Sequence, residues 1–217
     1  KPVFKRKNFM LEKADWDRLT ASAAKNQITP AMILLTIYTQ ILERYSNQSD
    51  FLINIPLFNR PSEAENEVAD FTNILLLPVK STEVRGFIGK AKSIQEIFLE
   101  SLNYSAYSGV KVIRDILRSR STQKLVAPII FSCDCMEPII TDKFTGSFGK
   151  LKYISSQTPQ VLIDFQIMRF PEGILFSWDT VEDIFPKDFI EEMFRAYIEC
   201  LRWTISNPDK WGEELPV

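Results

Sequence analysis

Residues 161–179 read VLIDFQIMRFPEGILFSWD, two runs rich in β-branched and aromatic residues with Pro171 and Gly173 between them, and this composition predicts two strands separated by a turn. A strand alternates its side chains, so Val161, Ile163, Phe165 and Ile167 face one way while Leu162, Asp164, Gln166 and Met168 face the other. Asp164 is therefore a carboxylate in the middle of an apolar strand. Burying such a charge is costly unless it is paired, protonated or used. Two readings follow, a solvated sheet face or a functional acid.

The segment APIIFSCDC upstream, residues 127–135, repeats the pattern. Its parity puts Ile130, Ser132 and Asp134 on one side and Ile129, Phe131 and Cys133 on the other. If the two strands are neighbours, Ser132 and Asp164 share a face. A hydroxyl there either orients the carboxylate and holds a developing oxyanion, or simply bonds nearby backbone. Cys133 and Cys135 read as packing residues, because no histidine is present to lower a thiol pKa or complete a metal shell.

Working outward, residues 15–26 carry Trp16, Leu19 and Ala23 at helical spacing. Thr29-Pro30 marks the start of a second helix, with Thr as cap and Pro in the first turn. Its broad apolar face of Ile33, Leu34, Ile37, Tyr38, Ile41, Leu42 and Tyr45 is wide enough to lie on a sheet. FLINIPLF and DFTNILLLPV then read as strands. Between them lies a polar connection with Glu63, Glu65 and Glu67. Helices follow at residues 87–104 and 110–120, the second amphipathic with Lys111, Arg114, Arg118 and Arg120 outside. Those cations are either a wet face or a surface for an acidic partner. A last helix starts at Pro186, with Ile190, Phe194, Tyr197 and Leu201 as its apolar line. This order predicts an α/β sandwich, a mixed sheet covered by helices. Residues 1–14 and 207–217 read as linker-like ends of a single unit spanning 1–217.

Composition excludes whole classes of function. Among 217 residues there is no histidine, so a Ser-His-Asp triad, a Cys-His dyad and a His-based metal site are all impossible within the chain. Three cysteines are too few for a four-thiolate zinc site or a disulfide framework, and a reduced, cytoplasmic setting is expected. With 26 Lys plus Arg against 28 Asp plus Glu, the net charge of -2 offers no basic excess for nucleic acid. No apolar run approaches the ~20 residues that span a bilayer. A first residue other than Met and an ending in GEELPV suggest part of a longer chain.

The stretches QTPQVLIDFQ and SWDTVEDIFPKDFIEEMFRAY closely resemble the end of heterocyclization domains of nonribosomal peptide synthetases, relatives of condensation domains. LTASAAKNQITPAMILLTIYTQIL, NIPLFNRP, VADFTNILLL, SGVKVIRDILR and APIIFSC agree in the same order. The resemblance covers essentially the whole chain and corresponds to one half of such a domain, the carboxyl-terminal lobe. It implies a chloramphenicol-acetyltransferase-like fold paired with an amino-terminal lobe, two carrier proteins docking at opposite mouths of a tunnel, and an adjacent adenylation domain. No cofactor is bound directly. Substrates arrive as thioesters on phosphopantetheine arms. The implied reaction joins an acyl group to the amine of tethered Cys, Ser or Thr, then closes the side chain on the new amide and expels water, in pathways of natural products such as siderophores.

By motif match Asp164 takes the catalytic Asp, whose pKa a tunnel of apolar walls would elevate for proton exchange. Ser132 takes the first hydroxyl of a Phe-Thr-Ser motif. Asn54, Thr72, Cys133 and Gln160 are expected to line or support the same site, with no metal. The sequence also departs from the family. Phe131-Ser132-Cys133 replaces its second hydroxyl by a thiol, which predicts weakened ring closure with amide formation spared, and Ala69 replaces a Gly. The Asp-x-x-x-x-Asp motif of the family belongs to the amino-terminal lobe, so the chain alone is expected to be inactive. The match at Asp183 to Asp188 reads as coincidence, with Asp188 in a helical first turn. The alternatives are a condensing-only lobe and a non-catalytic lobe that docks carrier proteins.

Overall fold

The structure is a computed structural model that describes residues 3–46, 48–58, 63, 66–80, 84–120, 125–138, 140–149, 151, 154 and 158–216. The expected alternation of residues 161–170 is realised in β5 (Ile163–Phe170). Ile163, Phe165 and Ile167 are sealed in the core, and Asp164, Gln166 and Met168 turn to the opposite face. Pro171 and Glu172 form the turn into β6 (Gly173–Val181), which pairs antiparallel with β5.

The remaining strands are β1 (Phe4–Glu12), β2 (Phe51–Phe58), β3 (Thr72–Val79) and β4 (Ile129–Asp134). They form one six-stranded sheet in the order β1-β6-β5-β4-β2-β3. The β2–β4 and β4–β5 pairs are parallel and the others antiparallel, so the sheet is mixed as expected. Between β2 and β4 the register consists of Asn54↔Ile130 alone among the described residues. Pro56, two positions further along β2, has no N–H to add to a ladder.

Two long helices seal one face, α2 (Pro30–Tyr45) and α6 (Phe189–Ser206). The Thr29 hydroxyl caps α2 by accepting from the Met32 N–H, and Pro30 occupies the first turn, as the sequence predicts. Tyr38 of α2 meets Phe165 edge-on at 4.9 Å and Trp178 at 5.5 Å between ring centroids. Tyr197 of α6 meets Phe165 at 5.0 Å, and Phe194 meets Trp178 at 5.2 Å. Edge-on aromatic pairs add about 0.5–1.5 kcal/mol each beyond the area they bury. α1 (Lys13–Lys25) and α3 (Phe87–Leu102) extend this core, with Trp16, Leu19 and Ala23 buried along the expected stripe of α1. α4 (Gly109–Arg120) has Val112, Ile113, Ile116 and Leu117 half-buried and Lys111, Arg114 and Arg118 exposed.

Three expectations need correction. The amino-terminal end is not a linker: residues 4–12 form edge strand β1, register-matched to β6 along its whole length. Nor is the carboxyl-terminal end, where Trp211 and Leu215 are buried and the Trp211 indole N–H donates to Thr204 O at 2.9 Å. A short helix, α5 (Asp142–Phe148), capped by Thr141, stands in the connection between β4 and β5. The last helix begins at Phe189, after a 3-10 turn at Glu182–Ile184, and not at Pro186. Of the acidic cluster, Glu63 and Glu67 are exposed and Glu65 lies outside the described residues.

Phe165 sits at the centre of the aromatic core with no exposure. Phe165→Ala is expected to lower stability by about 3–5 kcal/mol, read as a fall in the urea midpoint followed by tryptophan fluorescence. Cys200 is buried on α6, and desolvation pushes its thiol up to about 11. Iodoacetamide at pH 8 should leave Cys200 unmodified in the folded chain and alkylate it in denaturant, as mass spectrometry of peptides will report.

Candidate functional site

The strand registers align one row of side chains across the whole sheet on the face opposite α2 and α6. Arg6 pairs with Asp179, Asp179 with Asp164, Asp164 with Ile130, Ile130 with Asn54, and Asn54 with Leu76. The next row carries Asn8, Ser177, Gln166 and Ser132. Sequence parity placed Asp164 and Ser132 on a common face, and the structure does so because β4 and β5 are adjacent and parallel. The Leu162 N–H donates to Pro128 O at 2.8 Å and fixes where the two strands begin relative to one another.

Asp164 is only 4% exposed. Its Oδ2 accepts from Gln166 Nε2 at 3.1 Å and from Thr158 Oγ1 at 3.4 Å. Gln166 is the direct cross-strand neighbour of Ser132, so the amide stands between the hydroxyl and the carboxylate. Ser132 is half-buried and lies one strand across and one row along from Asp164, a diagonal neighbour. Two uncharged donors thus contact one oxygen of the carboxylate, an arrangement suited to exchanging a proton with a bound group.

Asn54 lies two strands from Asp164 in the same row, about 10 Å away by strand spacing. Its Oδ1 is buried and has no hydrogen-bond partner among the described residues, and the same holds for Ser177 Oγ in the adjoining row. An unpaired buried acceptor costs about 1–3 kcal/mol, and an acceptor kept at that cost is available to a substrate N–H or O–H.

The other expected residues are not drawn together. Thr72 shares the face by parity but begins edge strand β3, three strands from Asp164, where its own N–H donates to Asp70 Oδ1 at 2.9 Å. Gln160 is exposed at a backbone φ of 65°, and Thr158, two positions earlier, reaches Asp164 instead. Cys133 turns to the helices, away from Asp164, with its Sγ 3.5 Å from that of Cys135. Contact with the Cys135 thiol and burial push the Cys133 thiol well above its ordinary range. Asp188 is the N-cap of α6 at φ 62° with no side-chain cap bond, and Glu191 and Glu192 hold the first turn.

Sequence reasoning missed Gln166, Thr158 and the pair Arg6–Asp179. Parity already put Gln166 beside Asp164, a signal that was there to use. Arg6 Nε donates to Asp179 Oδ1 at 2.7 Å and Nη2 donates to Oδ2, a two-pronged ion pair with side-chain exposures of 10% and 5%. A cavity of about 390 Å³ lined by Lys13, Trp16, Arg169 and Ile174 opens at the other end of β5, so the chemistry at Asp164 does not coincide with it.

Comparison with known proteins identifies the family. The family model described as Condensation domain matches residues 3–216. Phenyloxazoline synthase MbtB of Mycolicibacterium paratuberculosis is 38% identical over 205 residues, covering 93% of this chain and 18% of the relative. Pyochelin synthetase PchE of Pseudomonas aeruginosa is 32% identical over 222 residues, covering 100% of the chain and 15% of the relative. The chain thus spans less than one fifth of these relatives. Among solved structures, the EpoB nonribosomal peptide synthetase cyclization-docking bidomain from Sorangium cellulosum superposes with a TM-score of 0.84 at 28% identity, over 98% of this chain and 43% of that one. The mixed sheet with its helical cover is the chloramphenicol-acetyltransferase-like fold of such structures, and the chain belongs to the condensation-domain family of nonribosomal peptide synthetases.

Proposed function

We propose that this chain is the carboxyl-terminal lobe of a heterocyclization domain, which works with an amino-terminal lobe on substrates tethered to carrier proteins by phosphopantetheine arms. The observation that carries the reading is the nearly sealed Asp164 carboxylate, held by Gln166 and Thr158, with the Ser132 hydroxyl on the same face. The names of the relatives, a phenyloxazoline synthase among them, support the same chemistry. An adjacent adenylation domain would load the acceptor carrier.

In the proposed reaction the amine of carrier-bound Cys, Ser or Thr attacks the upstream thioester carbonyl. A C–N bond forms, the C–S bond breaks, and the amine proton goes to the departing thiolate. The acceptor side chain then attacks the new amide carbonyl as it loses its own proton. That carbonyl oxygen becomes a hydroxyl, takes a second proton and leaves as water while the nitrogen loses its hydrogen and C=N forms. Asp164 takes the side-chain proton released in ring closure and passes it to the carbonyl oxygen, then relays the proton shed by the nitrogen to the departing hydroxyl, so that both hydrogens leave in the water and the carboxylate ends as it began. Ser132 donates a hydrogen bond to the oxygen that gains charge in the ring intermediate, and Asn54 Oδ1 accepts from a substrate donor.

A condensing-only lobe was the alternative suggested by Phe131-Ser132-Cys133. Cys133 packs toward the helices and Ser132 keeps the hydroxyl on the Asp164 face, which favours a site still equipped to cyclise. A non-catalytic docking lobe would have no use for a buried acid with two arranged donors.

In the full-length synthetase that carries this chain, Asp164→Asn is expected to slow ring formation by about 10²–10⁴ and Ser132→Ala by about 10²–10³. The uncyclised amide should accumulate in both, as mass spectrometry of released products will show. Full ring formation in both variants would overturn the assignment of roles. Loss of the amide as well as the ring would overturn the division of labour, in which these residues act after condensation.

A further inference from the structure

Cys133 is the last inward-facing residue of β4, and Cys135 follows just beyond the strand with the single residue Asp134 between them. Two rises of about 3.3 Å along a strand put such a pair about 6.6 Å apart at Cα, within the ~4.4–6.8 Å that disulfides span. The two sulfurs are already in contact at 3.5 Å, with the Cys133 S–H donating to Cys135 Sγ. The neighbouring strand supplies a cation. Arg169 of β5 donates to Met136 O at 2.6 Å, one residue beyond Cys135.

These contacts make the two thiols unlike. The hydrogen bond from Cys133, with the Arg169 charge adding to it, holds the Cys135 thiol below its ordinary value against burial and the Asp134 charge. The same bond, together with burial, pushes the Cys133 thiol up. Tyr197 of α6, raised chiefly by its own burial, stays protonated nearby, and Cys200, alone on α6, is pushed up to about 11. A thiolate beside a thiol and a guanidinium is the setting in which cysteines are oxidised and then resolved. Among the described residues no group of three or more Cys, Asp or Glu is placed to hold a metal ion, which leaves the chemistry of two sulfurs.

We propose that Cys133 and Cys135 form an oxidisable dithiol, which a peroxide closes into an intrastrand disulfide at the end of β4 and a small thiol reopens. The Cys135 sulfur attacks the peroxide: an S–O bond forms, the O–O bond breaks and hydroxide leaves. Cys133 then gives up its proton and attacks the Cys135 sulfur, so that the S–S bond forms, the S–O bond breaks and a second hydroxide departs. With the two thiol protons both hydroxides become water. The pair loses two electrons and one peroxide gains them. Closure over one residue strains the end of the strand, and strained disulfides are readily reduced. Nothing in this chemistry depends on the role given to Asp164.

For the test, folded full-length synthetase is treated with hydrogen peroxide at a dose that oxidises free glutathione, blocked with iodoacetamide in denaturant and digested with trypsin. Cleavage after Lys124 and Lys143 leaves both cysteines in one peptide, residues 125–143. That peptide is expected two hydrogens lighter than its dithiol form and without label. Dithiothreitol before blocking should restore two labels, and the Cys200 peptide should keep its label throughout. In Cys133→Ser the reaction should stop at a sulfenic acid on Cys135, trapped by dimedone, because the serine hydroxyl keeps the donor without a second sulfur. In Cys133→Ala the same adduct should form about tenfold more slowly, the change in thiolate that one pKa unit brings. Thermal melts establish that both variants are folded. Two labels on the parent peptide after peroxide overturn the inference, and so does a bridge from either cysteine to a third. Equal trapping rates in the two variants overturn the assignment of Cys135 as the attacking sulfur.

Discussion

Strict two-residue alternation along β5 is the constraint on which the rest of the molecule depends. Phe165 and Asp164 are adjacent in sequence, and pleating sends one into the aromatic core and the other to the opposite face. The core then acts on the site with no direct contact. Tyr38, Trp178 and Tyr197 fix Phe165 edge-on, and a strand so held cannot slip by one residue without exchanging its two faces. The placement of Asp164 is therefore as secure as the burial of Phe165.

The opposite face is held together by hydrogen-bond register more than by apolar packing. A single row runs from Arg6 to Leu76 through all six strands, and its polar members lie next to one another only because each ladder is in phase. Pairwise contributions there are modest, since a typical hydrogen bond is worth about 0.5–1.5 kcal/mol net. Their value lies in specificity: a carboxylate with Gln166 and Thr158 on one oxygen has few orientations left.

What could be read from the sequence was what local rules govern. Thr29-Pro30 announced the start of α2 because capping involves only the residues that follow. The alternation in residues 161–170 and 127–135 announced the common face of Asp164 and Ser132 because parity is local. Strand β1 was hidden: FKRKNFMLE carries three cations and reads as a basic lead-in until β6 is beside it, with Leu11 inward and Arg6 matched to Asp179. α5, at seven residues with a Gly inside, has too short a pattern to register. Thr72 and Gln160 were placed by motif, and a motif carries no information on how far apart strands lie in a sheet; Thr72 ended on the far edge and Gln160 in an exposed turn. Cys133 illustrates the opposite case, since parity had already turned it from Asp164 while the motif grouped it with Ser132.

The bond between Arg6 and Asp179 joins residues 173 positions apart. Contacts that close such long loops are made late, after the entropy of the intervening chain has been surrendered. During synthesis, β1 leaves the ribosome ahead of the other strands of its sheet and waits for its mate until the intervening residues have followed. The acid row is consequently among the last things the sheet completes, and a translation product that stops short of β6 would have most of the helices and none of the finished electrostatics.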